Sequence, residues 1–217
     1  PSIIISVPSG NFGNLTSGLI SRKMGAPITG FIAATNTNKT IPDWINYGEY
    51  KARPSVSTIS NAMDVGAPSN YERISAMYSL EEVRDLFASY WLDDEGTIKA
   101  IKDCNTKTGY IIDPHGAVGY QAWNDIRKDS LVKLSQGEKN PIELPGLTPN
   151  LPSWADDVIN KQVVGIILET AHPAKFGDIV KSSIGRDPIM PDRLEKVLSN
   201  NSKLKKLELD GYKISFS

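Results

Sequence analysis

The chain has 217 residues, a formal charge of -1, 40% hydrophobic residues and a single cysteine, Cys104. That is enough chain for one sizeable core. It excludes a disulfide-stapled scaffold and offers no cationic excess that would select nucleic acid or an anionic membrane. No apolar run approaches bilayer length and the first residues lack a signal-peptide pattern, so no membrane partner and a reducing, cytoplasmic setting are expected.

The chain opens on Ile3-Ile4-Ile5-Ser6-Val7, short, β-branched and apolar on both parities, as suits a strand covered on both faces of a parallel sheet. Pro8 ends it, and Ser9-Gly10-Asn11-Phe12-Gly13-Asn14 supplies turn formers and two glycines. Leu15, Gly18, Leu19, Ile20 and Met24 then fit one face of a helix closed by Gly25. Strand, glycine turn and helix in this order bring free amides and the positive end of a helix dipole to one point, where an oxyanion, most often a phosphate, is held. A tight βα turn without a ligand accounts for the same residues. A Gly-Lys-Ser/Thr triplet is absent, which excludes a nucleotide P-loop. The spacing does not suit a dinucleotide fingerprint either, and the next strand, Ile28 to Thr35, ends in Ala33-Ala34-Thr35-Asn36 with no acid for a ribose. A phosphate-bearing cofactor without an adenosine remains.

Ile28 to Thr35 completes a βαβ unit, and Thr40 is placed to cap a short helix, Ile41 to Tyr47. Gly48 to Val56 reads as loop. Ser57 to Val65 has helical spacing and is closed by Gly66; an ordinary amphipathic helix explains its apolar residues but not Asp64. Tyr71 to Met77, Ser79 to Trp91 and Asp94 to Thr108 read as a charged helical layer. Within it, Arg73 is either a cation for a substrate phosphate or a solvated surface residue. Gly109 to Ile112 reads as a short strand, after which Asp113 and Pro114 open a helix through Lys128. His115, at that helix start, has its neutral form favoured by the dipole and suits either a hydrogen-bonding role or packing against the sheet. Residues 129–162, rich in Pro, Gly, Ser, Asn and Lys, read as a surface insertion with a short turn at Trp154 to Ile159. Gln162 to Leu168 reads as the last buried strand, delivering Glu169-Thr170-Ala171-His172-Pro173 at its carboxyl end, where open α/β sheets bind ligands. Thr170 either meets a ligand there or caps the helix beginning near Pro173, and Lys175 is either a ligand contact or a surface charge. Helices at Ile179 to Ile184 and Pro191 to Leu198 and an edge strand within Leu207 to Phe216 finish the chain. The expected fold class is α/β, three layers with a mostly parallel sheet flanked by helices.

Four segments, Val7-Pro8-Ser9-Gly10-Asn11-Phe12-Gly13-Asn14, Ala33-Ala34-Thr35-Asn36, Ser60-Asn61-Ala62-Met63-Asp64-Val65 and Thr170-Ala171-His172-Pro173-Ala174-Lys175-Phe176, occur in the order and rough spacing of threonine synthases, and Asp113-Pro114-His115 resembles a further segment of that family. The resemblance covers nearly the whole chain and is to a pyridoxal-phosphate enzyme of the tryptophan-synthase-β type, fold type II. It implies conversion of O-phosphohomoserine and water to threonine and phosphate. It further implies that the loop Ser9, Gly10, Asn11, Phe12, Gly13 and Asn14 holds the phosphate of pyridoxal 5'-phosphate through its amides and that the Thr170 hydroxyl meets an unprotonated pyridine nitrogen. Asn14, Asp64, Arg73, His115 and Lys175 are the substrate-side candidates. The family's Schiff-base lysine lies upstream of the glycine loop; Lys102 and Lys128 precede aspartates as that lysine does but follow the loop in charged helical stretches, and are rejected. The chain therefore reads as the C-terminal part of the large cofactor-binding domain. It is expected to lack catalytic and metal-binding residues, to be inactive alone, and to have the missing N-terminal part of the same polypeptide as its partner. A threonine or serine dehydratase of the same fold and a non-catalytic homologue that keeps the phosphate loop are the alternatives.

Overall fold

The computed structural model describes residues 1–136, 146–147, 151–160, 163–199, 208–210 and 213–215. In chain order the elements are β1 (Ser2–Pro8), α1 (Gly13–Lys23), β2 (Ile28–Thr35), α2 (Thr40–Tyr47), α3 (Tyr71–Met77), α4 (Leu80–Leu86), β3 (Phe87–Trp91), α5 (Asp94–Thr108), α6 (Pro114–Gln136), α7 (Asp157–Asn160), β4 (Val163–Ile167), α8 (Gly177–Ile184), α9 (Asp192–Ser199), β5 (Glu208–Asp210) and β6 (Lys213–Ser215). Short 3-10 turns lie at Asn61–Met63, Ser153–Ala155 and Pro173–Phe176.

Four strands form one parallel sheet in the order β3-β2-β1-β4. Because β1 is apolar on both parities, each of its faces buries a separate cluster. Ile4 joins Ile32, Ala34, Ala88 and Tyr90 beneath α5 and α6, with Ala117, Val118, Ala122 and Ile126 opposite. Val7 joins Phe31, Ala33 and Phe87 beneath Leu15, Leu19, Ile41, Ile74 and Val83 on the other face. Each fully buried Ile, Leu or Phe contributes about 1.5–3 kcal/mol, so the three layers follow from strands that must be covered twice. After β1 the chain builds outward through β2 and β3, then returns to lay β4 on the opposite side of β1. The carboxyl ends of β1 and β4 thus meet at a topological switch point, and Leu168 N–H donates to Ser6 O at 3.0 Å there.

Several elements depart from the sequence expectation. The segment expected as a helix from Ser57 to Val65 forms only the Asn61–Met63 turn, because Thr58, Ser60 and Asp64 side chains take the local backbone and one another as partners. The helix expected to run from Ser79 to Trp91 stops at Leu86, and Phe87–Trp91 pairs with β2 instead; aromatic residues fit a pleated sheet, and an apolar run of this length satisfies both periods. Gly109 to Ile112 carries no strand, and its Gly109 and Tyr110 carbonyls accept from Asn105 Nδ2 at 3.3 and 3.4 Å. α6 runs on to Gln136, burying Asp129 and Ser130, and Trp154 packs into the core with its indole N–H donating to Leu86 O at 3.2 Å. Those parts of 129–162 therefore belong to the layers, while 137–145, 148–150 and 161–162 lie outside the described residues. β4 is an edge strand with Val164 and Ile166 exposed, at 47% and 41%, rather than a buried one. Within 207–216, β5 and β6 pair antiparallel with each other instead of adding an edge strand to the main sheet. Among the described residues, no helix is long and apolar enough to cross a membrane.

Candidate functional site

β1 ends at Pro8, and the next residue, Ser9, spends its amide on Ala34 O at 2.8 Å, which anchors the loop to β2. Phe12 then takes a left-handed conformation, φ 60° and ψ 22°. That geometry costs a non-glycine residue about 1–2 kcal/mol. The Phe12 side chain is 1% exposed, and burying it contributes about 1.5–3 kcal/mol, so the ring pins the strained backbone in place. α1 starts immediately afterwards with no side-chain cap; its first internal bond is Thr16 N–H to Phe12 O at 2.9 Å. Among the described residues, the amides of Gly10, Asn11, Phe12, Gly13 and Asn14 have no acceptor, the arrangement that helix starts offer an anion.

The two glycines have different reasons. A Cβ on Gly10 would stand 2.6 Å from Met63 Cα, so Gly10 is what lets the loop lie against the Asn61–Met63 turn. A Cβ on Gly13 would meet nothing nearer than Asn70 Nδ2 at 3.9 Å, so packing does not require a glycine there and the space beside it is open.

That space is a cavity of about 250 Å³ lined by Pro8 to Asn14, Ala62, Met63, His115, Thr170 and Ala171. All six loop residues singled out from the sequence are brought together with Thr170. Ser9 is the one whose expected part changes, because its amide already has a partner and cannot join the others in holding an anion. Thr170 stands across the cavity at the end of β4 and is exposed; the helix-cap alternative is not taken, since His172 Nδ1 accepts from Ala174 N–H at 3.1 Å and caps the Pro173–Phe176 turn.

The substrate-side candidates separate. Asp64 Oδ1 accepts from Thr58 Oγ1 at 2.7 Å, Asn36 Nδ2 at 2.8 Å and Asn38 Nδ2 at 3.3 Å, and Oδ2 accepts from Thr58 N–H at 3.0 Å. A carboxylate so engaged organises its own loop, and Asp64 is not among the residues that line the cavity. His115 lines the cavity, yet both ring nitrogens are committed. Its Nδ1 lies 2.7 Å from Asp113 Oδ1, and its Nε2 accepts from Ala62 N–H at 3.2 Å, which places the proton on Nδ1. Arg73 donates to Asn70 Oδ1 at 3.3 Å, and Asn70 Nδ2 donates to Asn11 O at 2.7 Å, so Arg73 stands one residue outside the cavity wall. Lys175 is exposed and does not line the cavity. Asn11 Oδ1 accepts from both the amide and the hydroxyl of Ser69, at 2.6 and 3.1 Å, tying the loop to the segment before α3.

Two features were not read from the sequence. Asn36 and Asn38 complete the buried network around Asp64 and fix the wall that carries Met63; two asparagines just past a buried strand are the signal that could have flagged them. Glu169 lies against the first turn of α6, with Tyr110 Oη donating to its Oε2 at 3.4 Å. Although the residue as a whole is exposed, burial of its carboxyl, followed by the charge of Asp113, pushes it up to about 8. Among the described residues, those lining the cavity include no lysine.

Residues 153–214 match the family model "Threonine synthase, C-terminal". The chain is similar to threonine synthase of Haemophilus influenzae, 36% identical over 197 residues that make up 90% of this chain and 38% of that protein. Among solved structures it is similar to threonine synthase from Escherichia coli, with a TM-score of 0.65 and 32% identity over 90% of this chain and 38% of that one. It is also similar to a PLP-bound threonine synthase from Brucella melitensis, with a TM-score of 0.66 and 26% identity over 93% and 42%. The chain thus spans about two fifths of the length of the relatives it matches.

Proposed function

We propose a function from one premise: this chain belongs to the threonine synthase family, whose C-terminal part it matches. The chain supplies the cofactor-phosphate cradle of an enzyme that converts O-phosphohomoserine and water to threonine and phosphate. The observation that carries this is the group of acceptor-free amides from Gly10 to Asn14, gathered opposite Thr170 around one cavity. Those amides, with the positive end of α1 behind them, fit a dianionic phosphate, and the open space beside Gly13 lets it approach the backbone. The similar threonine synthase from Brucella melitensis is PLP-bound, which supports pyridoxal 5'-phosphate as the group held.

Pyridoxal phosphate when bound supplies the electron sink that stabilises carbanions during elimination and replacement. The work of this chain is to bind and orient. The amides of Gly10 to Asn14 would hold the cofactor phosphate, and the Thr170 hydroxyl would meet the ring nitrogen without protonating it. Asn14, with Arg73 just outside the wall, would take the substrate's phosphate. His115 and Asp64 hold the walls in place. The lysine that bonds the cofactor would come from outside this chain. The single, buried Cys104 supports a cytoplasmic setting. The test is phosphate release from O-phosphohomoserine by the 217-residue chain with pyridoxal phosphate supplied. None is expected, and turnover would place the missing lysine inside this chain.

A further inference from the structure

Among the described residues Phe12 is the one non-glycine residue with positive φ. The peptide that precedes it joins the Asn11 carbonyl to the Phe12 N–H, and because it is trans the two point in opposite directions. Asn70 Nδ2 donates to Asn11 O at 2.7 Å, which turns the Phe12 N–H away from Asn70; among the described residues that N–H has no acceptor. At the other end of the same carboxamide, Asn70 Oδ1 accepts from Arg73 at 3.3 Å. An acceptor beside Nδ2 and a donor beside Oδ1 agree on which way the carboxamide faces. Asn70 stands immediately before α3, where an asparagine side chain ordinarily caps the helix, yet it makes no cap bond there. Its side chain is spent on the loop instead.

We propose that Asn70 is a positioning residue that locks the Asn11–Phe12 peptide in its phosphate-binding orientation, with Arg73 holding the Asn70 carboxamide. The inference rests on the reading of the Gly10 to Asn14 amides as the phosphate cradle. The competing state is a rotation of this one peptide about the line joining the Cα atoms of Asn11 and Phe12. Such a rotation leaves those Cα atoms, and with them the buried Phe12 ring, in place. It carries φ into the negative region that a non-glycine residue prefers and exchanges the free N–H for a carbonyl oxygen. An oxygen there repels a phosphate that the N–H attracts. Local sterics favour the rotated state, so a partner outside the loop has to hold the observed one. The Asn11 side chain is not that partner, because its Oδ1 bonds to Ser69 anchor the side chain and not the peptide. Asn70 holds the carbonyl itself. Arg73, the guanidinium proposed for the substrate's phosphate, is thereby linked through one side chain to the loop proposed for the cofactor's.

The test compares the 217-residue chain with Asn70→Leu, which keeps the bulk and loses both polar ends, and with Asn70→Ala as a second variant. Without ligand, NMR reads the Phe12 φ from its HN–Hα coupling and from the distance between those protons. The wild-type chain is expected to show a positive φ and a coupling across the hydrogen bond from Asn70 Nδ2 to the Asn11 carbonyl carbon. Both variants are expected to show a negative φ. Titrated with inorganic phosphate, the variants should bind about tenfold more weakly, with the Phe12 amide no longer shifting while those of Gly13 and Asn14 still do. A side chain that merely fills space would leave Asn70→Leu with the wild-type φ and affinity. Phe12 keeping its positive φ in both variants, or both binding phosphate as tightly as wild type, would overturn the proposal and leave the cradle standing. Wild-type loop amides that ignore phosphate would overturn the cradle and the proposal together.

Discussion

Gly10 and Gly13 look alike in the sequence and do different things. Gly10 presses against backbone, Met63 Cα, which cannot rotate away; Gly13 faces open space. Gly10→Ala should therefore lower stability by about 1–3 kcal/mol in denaturant unfolding. Gly13→Ala should leave the unfolding free energy within about 0.5 kcal/mol while weakening phosphate affinity at least about tenfold, a loss of about 1.4 kcal/mol. Equal destabilisation by both would remove the distinction. The glycine loop was legible because its evidence is local: a strand, turn residues and a helix start within fourteen positions. The roles of Asp64 and His115 were not, because their partners Asn36 and Ala62 lie 28 and 53 residues away. Spacing along a chain marks chemistry-bearing residues without saying whether a carboxylate's lone pairs are already taken.

β3 and β4 show where sequence pattern runs out at the level of elements. Phe87 to Trp91 follows α4, whose capping box between Ser79 and Glu82 is present in full, and the apolar spacing continues without a break. Pairing with β2 then decides the conformation. β4 is the strand its apolar run predicts, but such a run does not reveal whether it lies inside a sheet or at its edge. Here Val164 and Ile166 are exposed beside Ile3 and Ile5 of β1, leaving apolar surface on what is, among the described residues, an edge of the sheet. Such an edge invites pairing with another chain. Val164→Lys with Ile166→Lys should reduce concentration-dependent association in sedimentation velocity. Because both side chains are already nearly half exposed, the unfolding free energy should change by less than about 1 kcal/mol. Association unaffected by the double substitution would mean that the sheet edge is not the adhesive surface.

Across the whole molecule, the parallel sheet and its reversal at β1 explain why residues 9–14 and 170–171 share one cavity although the chain between them builds nearly every other layer. The three-layer α/β class followed from double-sided strands. The wall formed by Ala62 and Met63 did not, since it depends on a hydrogen-bonded loop with no helical or strand period. The central claim is that the amides of Gly10 to Asn14 hold a phosphate while Thr170 meets the ring attached to it. Amide NMR titration of this chain with inorganic phosphate and, separately, with pyridoxal phosphate tests both halves at once. Both ligands should shift the Gly10 to Asn14 amides and leave Ser9, already bonded to Ala34, largely unmoved, and only pyridoxal phosphate should shift Thr170 as well. Saturating pyridoxal phosphate that leaves the loop amides in place, or that moves them without moving Thr170, would contradict the account.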